Sequence, residues 1–308
     1  MPESEFAEVR RRLTNAATVS TYRLGSMAAR LLPGPLTGSV ATSFGIGASL
    51  TSPAKRRMIA RHLQRVNPGL RGTALRVAVQ QAFDYYAQYY IESFRLPTLP
   101  KRKVAECFSL EGWDRVVEAL ELGNGVILAL PHLGGWEWAG RWMTDEGYKM
   151  TVVVEALDPP ELFEWFADLR SELGMTVVPT GPEAGPAVLK ALRAGETVCL
   201  LCDRDLDHTG VEVEFFGERT TLPPGPATLS IRTGAPIFPA GVFFTSKRDG
   251  HHAVVRPAVS TQRRGGLRDD VSRVTQELAR ELEFLIRIAP EQWHMFQPNW
   301  PSDPGYPH

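Results

Sequence analysis

The sequence contains little cysteine: three residues in 308, at positions 107, 199 and 202. A small and odd number excludes a disulfide framework and is typical of a protein kept in a reducing cytosol. Cys199 and Cys202 have the C-x-x-C spacing of a redox pair, but they lie within the apolar run T-V-C-L-L-C. Because such a run is typical of a buried strand, we interpret both as buried structural cysteines.

The sequence also lacks a segment that qualifies as a transmembrane helix. The nearest candidate, residues 31–54, has no charged residue but contains three prolines and four glycines. It is too polar and too interrupted to span a bilayer. The N-terminus is acidic and then basic, without the early apolar run of a signal peptide. A peripheral association with a membrane remains compatible with this pattern.

The motifs of nucleotide and metal chemistry are absent as well. Neither G-x-G-x-x-G nor G-x-x-x-x-G-K-[ST] occurs, which argues against dinucleotide binding and nucleotide hydrolysis. His251 and His252 are adjacent, so in a strand they would point to opposite faces. Since no set of residues has metal-ligand spacing, we predict neither a metal site nor a cofactor.

Charge is distributed unevenly, although the formal net charge is only -1. Residues 1–105 contain 16 Lys and Arg against 5 Asp and Glu, whereas the remainder contains 18 against 30. A basic segment of this kind favours an anionic partner, either a membrane surface or a nucleic acid. Five Lys and Arg residues between positions 55 and 65 are interleaved with apolar residues, as in helices that lie on membranes. A solvated basic face on a core helix is the alternative.

From residue 105 onward, short apolar runs alternate with helical patterns. The predicted strands are 126–130, 151–154, 176–178, 197–201, 211–215, 237–244 and 253–255. The predicted helices are 111–121, 136–146, 159–173, 183–194, 225–233 and 267–289. This alternation predicts an α/β fold with a mostly parallel central sheet flanked by helices.

The first third of the chain has a different pattern. Residues 4–30 and 73–96 have approximately helical spacing, and the second segment is rich in tyrosine. Prolines and lysines then interrupt the pattern just before residue 104. We therefore expect an N-terminal helical extension over residues 1–104, basic and in contact with a membrane, followed by an α/β domain over residues 105–308.

The stretch Gly125–Gly140 contains the most informative residues. A buried strand is followed by His132, by a turn that Gly134 and Gly135 permit, and by Glu137 in the first turn of a helix. A neutral imidazole can act as a general base, and a carboxylate can fix its tautomer and stabilise the imidazolium. The end of a strand before a helix is also where α/β proteins bind ligands. Taken alone, the pattern fits a helix-capping histidine equally well.

A second carboxylate competes with Glu137 for the contact with His132. Glu155 ends the run T-V-V-V-E and would reach the same edge of the sheet. Its strand would lie beside the His132 strand if the strand order followed the chain order. An exposed glutamate at a strand end is the alternative, so the partner of the imidazole stays open.

Other charged residues are candidates for binding a ligand. Asp203, Arg204 and Asp205 follow the strand that ends at Cys202. Arg204 can present a planar set of donors to an anion, with a local salt-bridged turn as the alternative. Arg170, near the end of a predicted helix, is a second candidate for binding a phosphate group.

The sequence P-H-L-G-G-W-E at residues 131–137 resembles the H-x4-D/E motif of the lysophospholipid-type acyltransferases. It is most similar to the bacterial lipid A lauroyl/myristoyl acyltransferase branch, which reads H-x-G-N-W-E, with Gly135 here in place of the Asn. Further segments resemble that branch in the same order: V-E-F-F-G at 213–217, P-G-P-A at 224–227, T-G-A-P at 233–236 and P-E-Q-W at 290–293. The resemblance covers roughly residues 55–300.

A finer resemblance is to the actinobacterial phosphatidylinositol mannoside acyltransferase family. It rests on C-D-R-D-L at residues 202–206 and on W-H-M-F-Q-P at residues 293–298. It implies a long-chain, palmitoyl-type acyl-CoA as donor and a mannose hydroxyl of a phosphatidylinositol mannoside as acceptor. It also implies a peripheral location on the cytoplasmic face of the plasma membrane. Acyl-CoA is then a substrate rather than a cofactor, and an anionic membrane rather than nucleic acid is the expected partner.

With this resemblance, His132 is expected to be the general base and Glu137 and Glu155 the further catalytic residues. The expected substrate-binding residues are Leu133, Gly134, Gly135, Arg170, Asp203, Arg204, Asp205, Phe216, Gly217 and Gly225. We expect direct transfer without an acyl-enzyme, because no Ser or Cys is suitably placed as a nucleophile. Two alternatives stay open: an acyltransferase with a lipid A or glycerophospholipid acceptor, and a non-catalytic lipid-binding membrane protein.

Overall fold

The computed structural model describes residues 2–155, 159–205 and 207–307, without the side chains of residues 2–13. Leu206, the last residue of C-D-R-D-L, lies outside the described residues. The helices are α1 (Pro2–Leu31), α2 (Thr37–Thr51), α3 (Pro53–Val66), α4 (Gly72–Arg95), α5 (Lys101–Glu106), α6 (Asp114–Glu121), α7 (Trp136–Asp145), α8 (Pro160–Glu172), α9 (Ala184–Arg193), α10 (Gly225–Thr233) and α11 (Leu267–Ile288). The strands are β1 (Phe108–Glu111), β2 (Val126–Leu130), β3 (Met150–Val154), β4 (Thr176–Pro179), β5 (Thr197–Leu201), β6 (Val211–Phe215), β7 (Glu218–Leu222), β8 (Ile237–Phe244) and β9 (His251–Val255).

Seven strands form the central sheet, in the order β1-β9-β8-β2-β5-β3-β4. The five neighbours from β8 to β4 are parallel, while β9 runs antiparallel to β8 and β1 runs parallel to β9. The predicted fold, a mostly parallel sheet flanked by helices with helices at the N-terminus, is confirmed. Because β2 lies in the middle of this sheet with helices on both faces, it is buried along its whole length.

Alternate side chains of β2 enter two separate cores, as the two-residue period of a strand requires. Ile127 and Ala129 pack in one cluster with α11, whereas Leu128 and Leu130 belong to a second cluster with α7. The apolar spacing of the predicted helix 267–289 indicates one buried stripe, and the structure confirms it, since all its members are buried: Val271, Val274, Leu278, Leu282, Leu285 and Ile286. The sheet is therefore fixed from both sides, which holds the ends of its strands in place.

The strand predicted at 211–215 forms, but it does not join the central sheet. It pairs antiparallel with β7 in a separate hairpin. Phe216 (φ 51°) and Gly217 (φ 75°) form the turn between them. Positive φ at both central residues is what a two-residue hairpin of type I′ requires, which gives the F-F-G sequence a structural reason. The polar sequence E-R-T-T-L of β7 explains why this strand is hard to predict.

The N-terminal helices expose a group of large apolar side chains. On α1 these are Leu24, Met27 and Leu31, and on α2 they are Phe44, Ile46 and Leu50. The uncharged segment thus forms a helix that the prolines bound rather than break. Among the described residues, no helix is long and apolar enough to cross a bilayer.

The tyrosine-rich helix α4 packs inward, as expected for a core helix. The Tyr89 ring is in contact with Trp136 of α7, with centroids 4.3 Å apart. Side chains of the N-terminal region therefore reach the first turn after His132. A functional division at residue 104 stays a prediction.

Candidate active site

His132 and Asp203 come together because their strands are neighbours. β2 and β5 pair in parallel with Leu130 opposite Leu201, so the residues two positions beyond each lie side by side at the edge where the strands end. Asp203 Oδ1 lies 2.6 Å from Nδ1 of His132. Asp203 Oδ2 accepts the backbone N–H of His132 at 3.0 Å. One carboxylate thus holds both the ring and the main chain of the histidine.

This contact corrects the expectation that Glu137 or Glu155 bonds to the imidazole. The strand order places β5 between β2 and β3, so Glu155 is not on the strand next to His132. Its Oε2 instead accepts from Nη2 of Arg204 at 2.7 Å. Glu137 lies on α7 and accepts from Arg170. A catalytic role for either glutamate stays a prediction, but neither has the orienting contact that the sequence suggested.

The charge state of Asp203 fixes the tautomer of His132. Burial alone would raise the pKa of Asp203. The His132 charge and the hydrogen bonds from His132 and Trp293 lower it by more than burial raises it, so the pKa lies below its ordinary value. The carboxylate is therefore ionised and has no proton to donate, so Nδ1 of His132 is the donor. The free lone pair lies on Nε2, to which no described residue is hydrogen-bonded. With 23% of its side chain exposed, His132 can accept a proton from a bound hydroxyl.

The C-terminal segment supports the same pair and was not predicted to do so. The Trp293 indole N–H donates to Asp203 Oδ2 at 2.7 Å, and the Asn299 amide donates to the Asp203 carbonyl at 3.1 Å. The backbone N–H of His294 donates to the carbonyl of His132 at 2.7 Å. The W-H-M-F-Q-P sequence indicated family membership, but nothing in its composition pointed to this contact.

The predicted binding residues Leu133, Gly134 and Gly135 build the turn after His132. Gly134 has φ 60°, and a Cβ at this position would collide with the Val242 carbonyl. Its N–H donates to the carbonyl of Gln292 at 2.9 Å. Leu133 is buried in the core, with 1% of its surface exposed. The structure thus explains these residues through backbone geometry, and a substrate contact for any of them stays a prediction.

Glu137 and Arg170, both predicted site residues, form a buried ion pair. Glu137 Oε1 accepts from Nη2 of Arg170 at 2.6 Å and from Nε at 3.0 Å. The Tyr89 hydroxyl donates to the same oxygen at 3.2 Å. Burial lowers the pKa of Arg170, but the charges of Glu137 and Tyr89 and the hydrogen bonds to them together raise it above its ordinary value, so the guanidinium stays charged. Arg170 is thus directed at Glu137, whereas the sequence suggested a phosphate ligand.

Arg204 and Asp205 lie at the rim of the site in different contacts. Arg204 pairs with the half-exposed Glu155, and its Nε is buried without a hydrogen-bond partner among the described residues. Asp205 Oδ2 accepts the backbone N–H of Gly210 at 2.7 Å, which closes the loop after β5. Arg204 is therefore directed at Glu155, and an anion contact for it stays a prediction, whereas Asp205 has a structural contact.

Phe216, Gly217 and Gly225 are placed in the elements that surround the site. The Phe216 N–H donates to Glu283 at 2.6 Å, and the Phe216 ring packs on Trp293 with centroids 5.8 Å apart. Gly217 completes the hairpin turn, and Gly225 begins α10. The sequence predicts that Gly217 and Pro223–Pro226 shape the turn into the helix 225–233. This prediction is wrong for Gly217, because β7 lies between it and α10. Substrate contacts for these three residues stay predictions.

A largely apolar cavity lies beside the His132–Asp203 pair, between the sheet and α7. It encloses about 560 Å³ of space outside the protein atoms, part of it open to solvent. Leu130 and Leu201 line it, each two residues before a member of the pair. Trp136 also lines it and meets the His132 ring edge-on, with centroids 5.8 Å apart. Three methionines, at positions 143, 150 and 175, line the part near the opposite ends of the strands.

Comparison with known proteins identifies the family. A family model described as bacterial lipid A biosynthesis acyltransferase matches residues 5–302. The chain belongs to this family.

Individual proteins are also similar to this acyltransferase over most of its length. A phosphatidylinositol mannoside acyltransferase of Mycobacterium tuberculosis (strain CDC 1551 / Oshkosh) is 37% identical over 300 residues, which is 94% of this chain and 91% of the relative. One from Mycolicibacterium smegmatis (strain ATCC 700084 / mc(2)155) is 38% identical over 228 residues, 73% of each chain. Both the broader and the finer resemblance predicted from the motifs are confirmed.

Cys199 and Cys202 of this acyltransferase are unsuited to redox or nucleophilic chemistry. All three are free thiols. Burial raises the pKa of Cys199 to about 12 and holds that of Cys202 well above its ordinary value. Both thiols are therefore neutral, which supports the interpretation of structural cysteines. Within the described ranges, no group of three or more His, Cys, Asp or Glu residues could hold a metal ion.

Proposed function

We propose that this acyltransferase moves a long-chain, palmitoyl-type acyl group from acyl-CoA to a mannose hydroxyl of a phosphatidylinositol mannoside. The observation that carries the proposal is the His132–Asp203 pair, with Nε2 of His132 unbonded beside an apolar cavity. The acceptor class is inferred from the name of relatives that are aligned over 91% and 73% of their own lengths.

The reaction we propose is direct transfer. Nε2 of His132 takes the proton of the acceptor hydroxyl as the oxygen attacks the thioester carbon. The imidazolium that forms is stabilised by the Asp203 carboxylate at 2.6 Å. The tetrahedral intermediate then expels the coenzyme A thiolate, which receives the proton from His132, so that the base is regenerated. Because the neutral, buried Cys199 and Cys202 are poor nucleophiles, no acyl-enzyme is included.

The apolar cavity provides a place for the acyl chain. Its lining runs from Leu130 and Leu201, near the catalytic pair, to Met150 at the start of β3. β3 has five residues, which corresponds to about 13 Å at 3.3 Å per residue. Burying a methylene group stabilises a complex by about 0.8 kcal/mol, so a chain in this cavity contributes binding energy that positions the thioester.

The N-terminal helices support peripheral association with an anionic membrane. Leu50 of α2 is 76% exposed and Leu31 of α1 is 83% exposed, and α2 has no charged residue that would favour water. Lys55 and Arg57 at the start of α3 are exposed beside them. Apolar side chains that enter the interface and basic ones that meet anionic lipid are the two components of peripheral binding.

An acceptor panel tests the proposed function. The enzyme is given palmitoyl-CoA with a monomannosylated or dimannosylated phosphatidylinositol, unmannosylated phosphatidylinositol, a lipid A precursor or a lysophospholipid. Coenzyme A release is measured with a thiol-reactive dye, and the product is identified by its mass. We expect transfer to the mannosylated lipids alone. Transfer to another acceptor supports the alternative specificity, and no transfer at all supports a non-catalytic lipid-binding protein.

Vesicle binding tests the proposed membrane contact separately. We expect binding to vesicles of phosphatidylinositol in phosphatidylcholine, reduced by salt, and no comparable binding to DNA. Leu50→Ser should weaken binding several-fold. Leu122→Ser is the matched control, because Leu122 is 77% exposed and lies outside the N-terminal helices. Equal effects of the two substitutions would contradict a specific membrane face on α2.

A further inference from the structure

The C-terminal segment contains two buried tryptophans with different hydrogen-bond partners. Trp293 is 3% exposed, and its indole N–H donates to Asp203 Oδ2 at 2.7 Å. Trp300 is 0% exposed, and its indole N–H donates to the carbonyl of Phe215 at 3.1 Å. The two rings are also neighbours, with centroids 6.2 Å apart. Both are buried indole donors, but only Trp293 contacts the carboxylate that bonds to His132.

Three N–H donors surround the side chain of Asp203. Oδ1 faces the His132 ring, while Oδ2 accepts from the His132 backbone and from Trp293. Without the indole donor, Oδ2 keeps the backbone bond alone, so rotation of the carboxylate plane away from Nδ1 becomes easier. The Trp293 contact therefore restricts rotation of the carboxylate plane, on which the distance between Oδ1 and the imidazole depends.

The backbone of the segment is tied to the same turn. Trp293 forms an isolated antiparallel bridge with Leu133, and the N–H of His294 donates to the carbonyl of His132. The indole thus approaches Asp203 from a support that is itself fixed to the histidine. A displacement of Trp293 would therefore move both His132 and Asp203.

We propose that Trp293 is a positioning residue, whose indole N–H holds Asp203 against His132 and limits how strongly the carboxylate attracts the imidazole proton. A donor on Oδ2 disperses the negative charge of the carboxylate. Because Oδ2 still accepts the His132 backbone N–H, Oδ1 stays near Nδ1 when the indole donor is removed. The main electrostatic effect of the removal is then a more concentrated carboxylate charge, which stabilises the imidazolium and lets His132 take up its proton at a higher pH. The same removal loosens the ring and lowers the rate of proton transfer.

The substitution Trp293→Phe keeps an aromatic ring and removes the donor. We expect kcat to fall by about fivefold and the acid limb of the kcat/KM profile to move to a pH about 0.7 higher, as the loss of one hydrogen bond of about 1 kcal/mol would produce. Trp300→Phe is the matched control, since it removes an equally buried indole donor. It should lower stability while leaving the pH profile in place.

A second variant separates the donor from the shape of the ring. Trp293→3-benzothienylalanine replaces the indole N–H with sulfur at nearly constant shape, so the core packing is retained even if Trp293→Phe folds poorly. We expect this variant to reproduce the shift of the acid limb. If the benzothienyl variant had the same dependence of kcat/KM on pH as the wild type, the proposal would be overturned.

The kinetic readout rests on the proposed function, so a measurement that does not depend on activity is also needed. The protonation of His132 is followed by NMR of the imidazole nitrogens in the full chain, for the wild type and the variants. The positioning role is supported if His132 is protonated at a higher pH in both position-293 variants and at the wild-type pH in Trp300→Phe. Absence of transfer by the wild type would refute the proposed function, whereas an unchanged His132 titration in both position-293 variants would refute the role of Trp293.

Discussion

Asp203 bonds to His132 at two points: Oδ1 lies 2.6 Å from the imidazole Nδ1, and Oδ2 accepts the backbone N–H at 3.0 Å. The pair is assembled from the ends of two neighbouring parallel strands, β2 and β5. Neither residue needs the other nearby in sequence, because the register of the strands brings them together. This arrangement gives a histidine with a fixed tautomer and a free Nε2.

Replacing Asp203 with asparagine should disable the histidine without unfolding the protein. The amide of Asp203→Asn donates to Nδ1, which moves the imidazole proton to Nε2 and removes the free lone pair. We expect kcat to fall by roughly 10²–10⁴, the range in which loss of an orienting carboxylate acts. The measurement is the steady-state rate of coenzyme A release, with circular dichroism to check the fold.

Glu155→Gln provides the comparison for this prediction. Glu155 accepts from Arg204 and is 45% exposed, so its loss removes a surface contact and leaves the His132 tautomer in place. We expect kcat to decrease by less than about tenfold, because exposed ion pairs have small energetic effects. A larger loss for Glu155→Gln than for Asp203→Asn would reverse the assignment of the orienting carboxylate.

The Glu137–Arg170 pair should contribute mainly to stability. Glu137→Gln or Arg170→Met leaves the other charge buried, which costs about 3–5 kcal/mol of unfolding free energy when one member of a buried pair is removed. The double variant removes both charges and should be more stable than the sum of the single effects predicts. Urea denaturation of the four proteins measures this coupling, and strictly additive effects would show that the two side chains act independently.

Gly140 offers a way to shorten the apolar cavity. A Cβ at this position would lie 3.3 Å from Sδ of Met175 and 2.8 Å from Cε of Met150, both flexible ends of side chains. Gly140→Val should push them into the cavity and displace about two methylenes of a long chain. At about 0.8 kcal/mol each, this lowers kcat/KM for palmitoyl-CoA relative to decanoyl-CoA by about tenfold.

Gly185→Val is the control for the cavity prediction, because Gly185 lies on the exposed side of α9 with open space around it. It should leave the ratio of the two donors as in the wild type. If Gly140→Val left that ratio unchanged as well, the cavity would not hold the acyl chain.

Two buried histidines should make the protein sensitive to acid. Burial lowers the pKa of His62 to about 4 and that of His294 to about 3, compared with about 6.5 in the unfolded chain. Between pH 6.5 and these values the unfolded chain binds protons that the folded chain does not, so stability falls as the pH falls. We expect an unfolding free energy about 4 kcal/mol lower at pH 5 than at pH 7.

Variants locate this pH dependence. His62→Gln removes one of the two groups and should reduce the slope of stability against pH by about half. His252→Gln changes a histidine that is 36% exposed and should leave the slope as in the wild type. Chemical denaturation at several pH values gives the slope, and equal slopes for all three proteins would exclude the buried histidines as its source.

The sequence was informative about the fold because periodicity records which faces are buried. The apolar runs of β2, β5 and β8 and the stripe of α11 correspond to elements packed in the interior. The hairpin strand β7 has a polar sequence, so its pairing depends on the turn at Phe216–Gly217 and on β6, which packs against α11, rather than on its own pattern.

The site was less predictable, because strand order is a tertiary property. Each strand end that carries a charge can be recognised from sequence, but β5 inserts between β2 and β3 and brings Asp203 rather than Glu155 to His132. Trp293 reaches the pair from a segment 161 positions further along the chain than His132. Contacts of this kind depend on the folded path of the chain, which local patterns do not encode.

The most direct test of the central claim is the turnover of His132→Ala with palmitoyl-CoA and a mannosylated phosphatidylinositol. The wild type should release coenzyme A and form the acylated glycolipid. His132→Ala, with the fold verified by circular dichroism, should lose at least about 10³-fold in kcat, because the only free basic nitrogen of the pair is removed. His252→Ala changes a half-buried histidine that bonds to Ser109, and it should retain full activity. A folded His132→Ala enzyme with near-normal turnover would contradict general-base catalysis by His132.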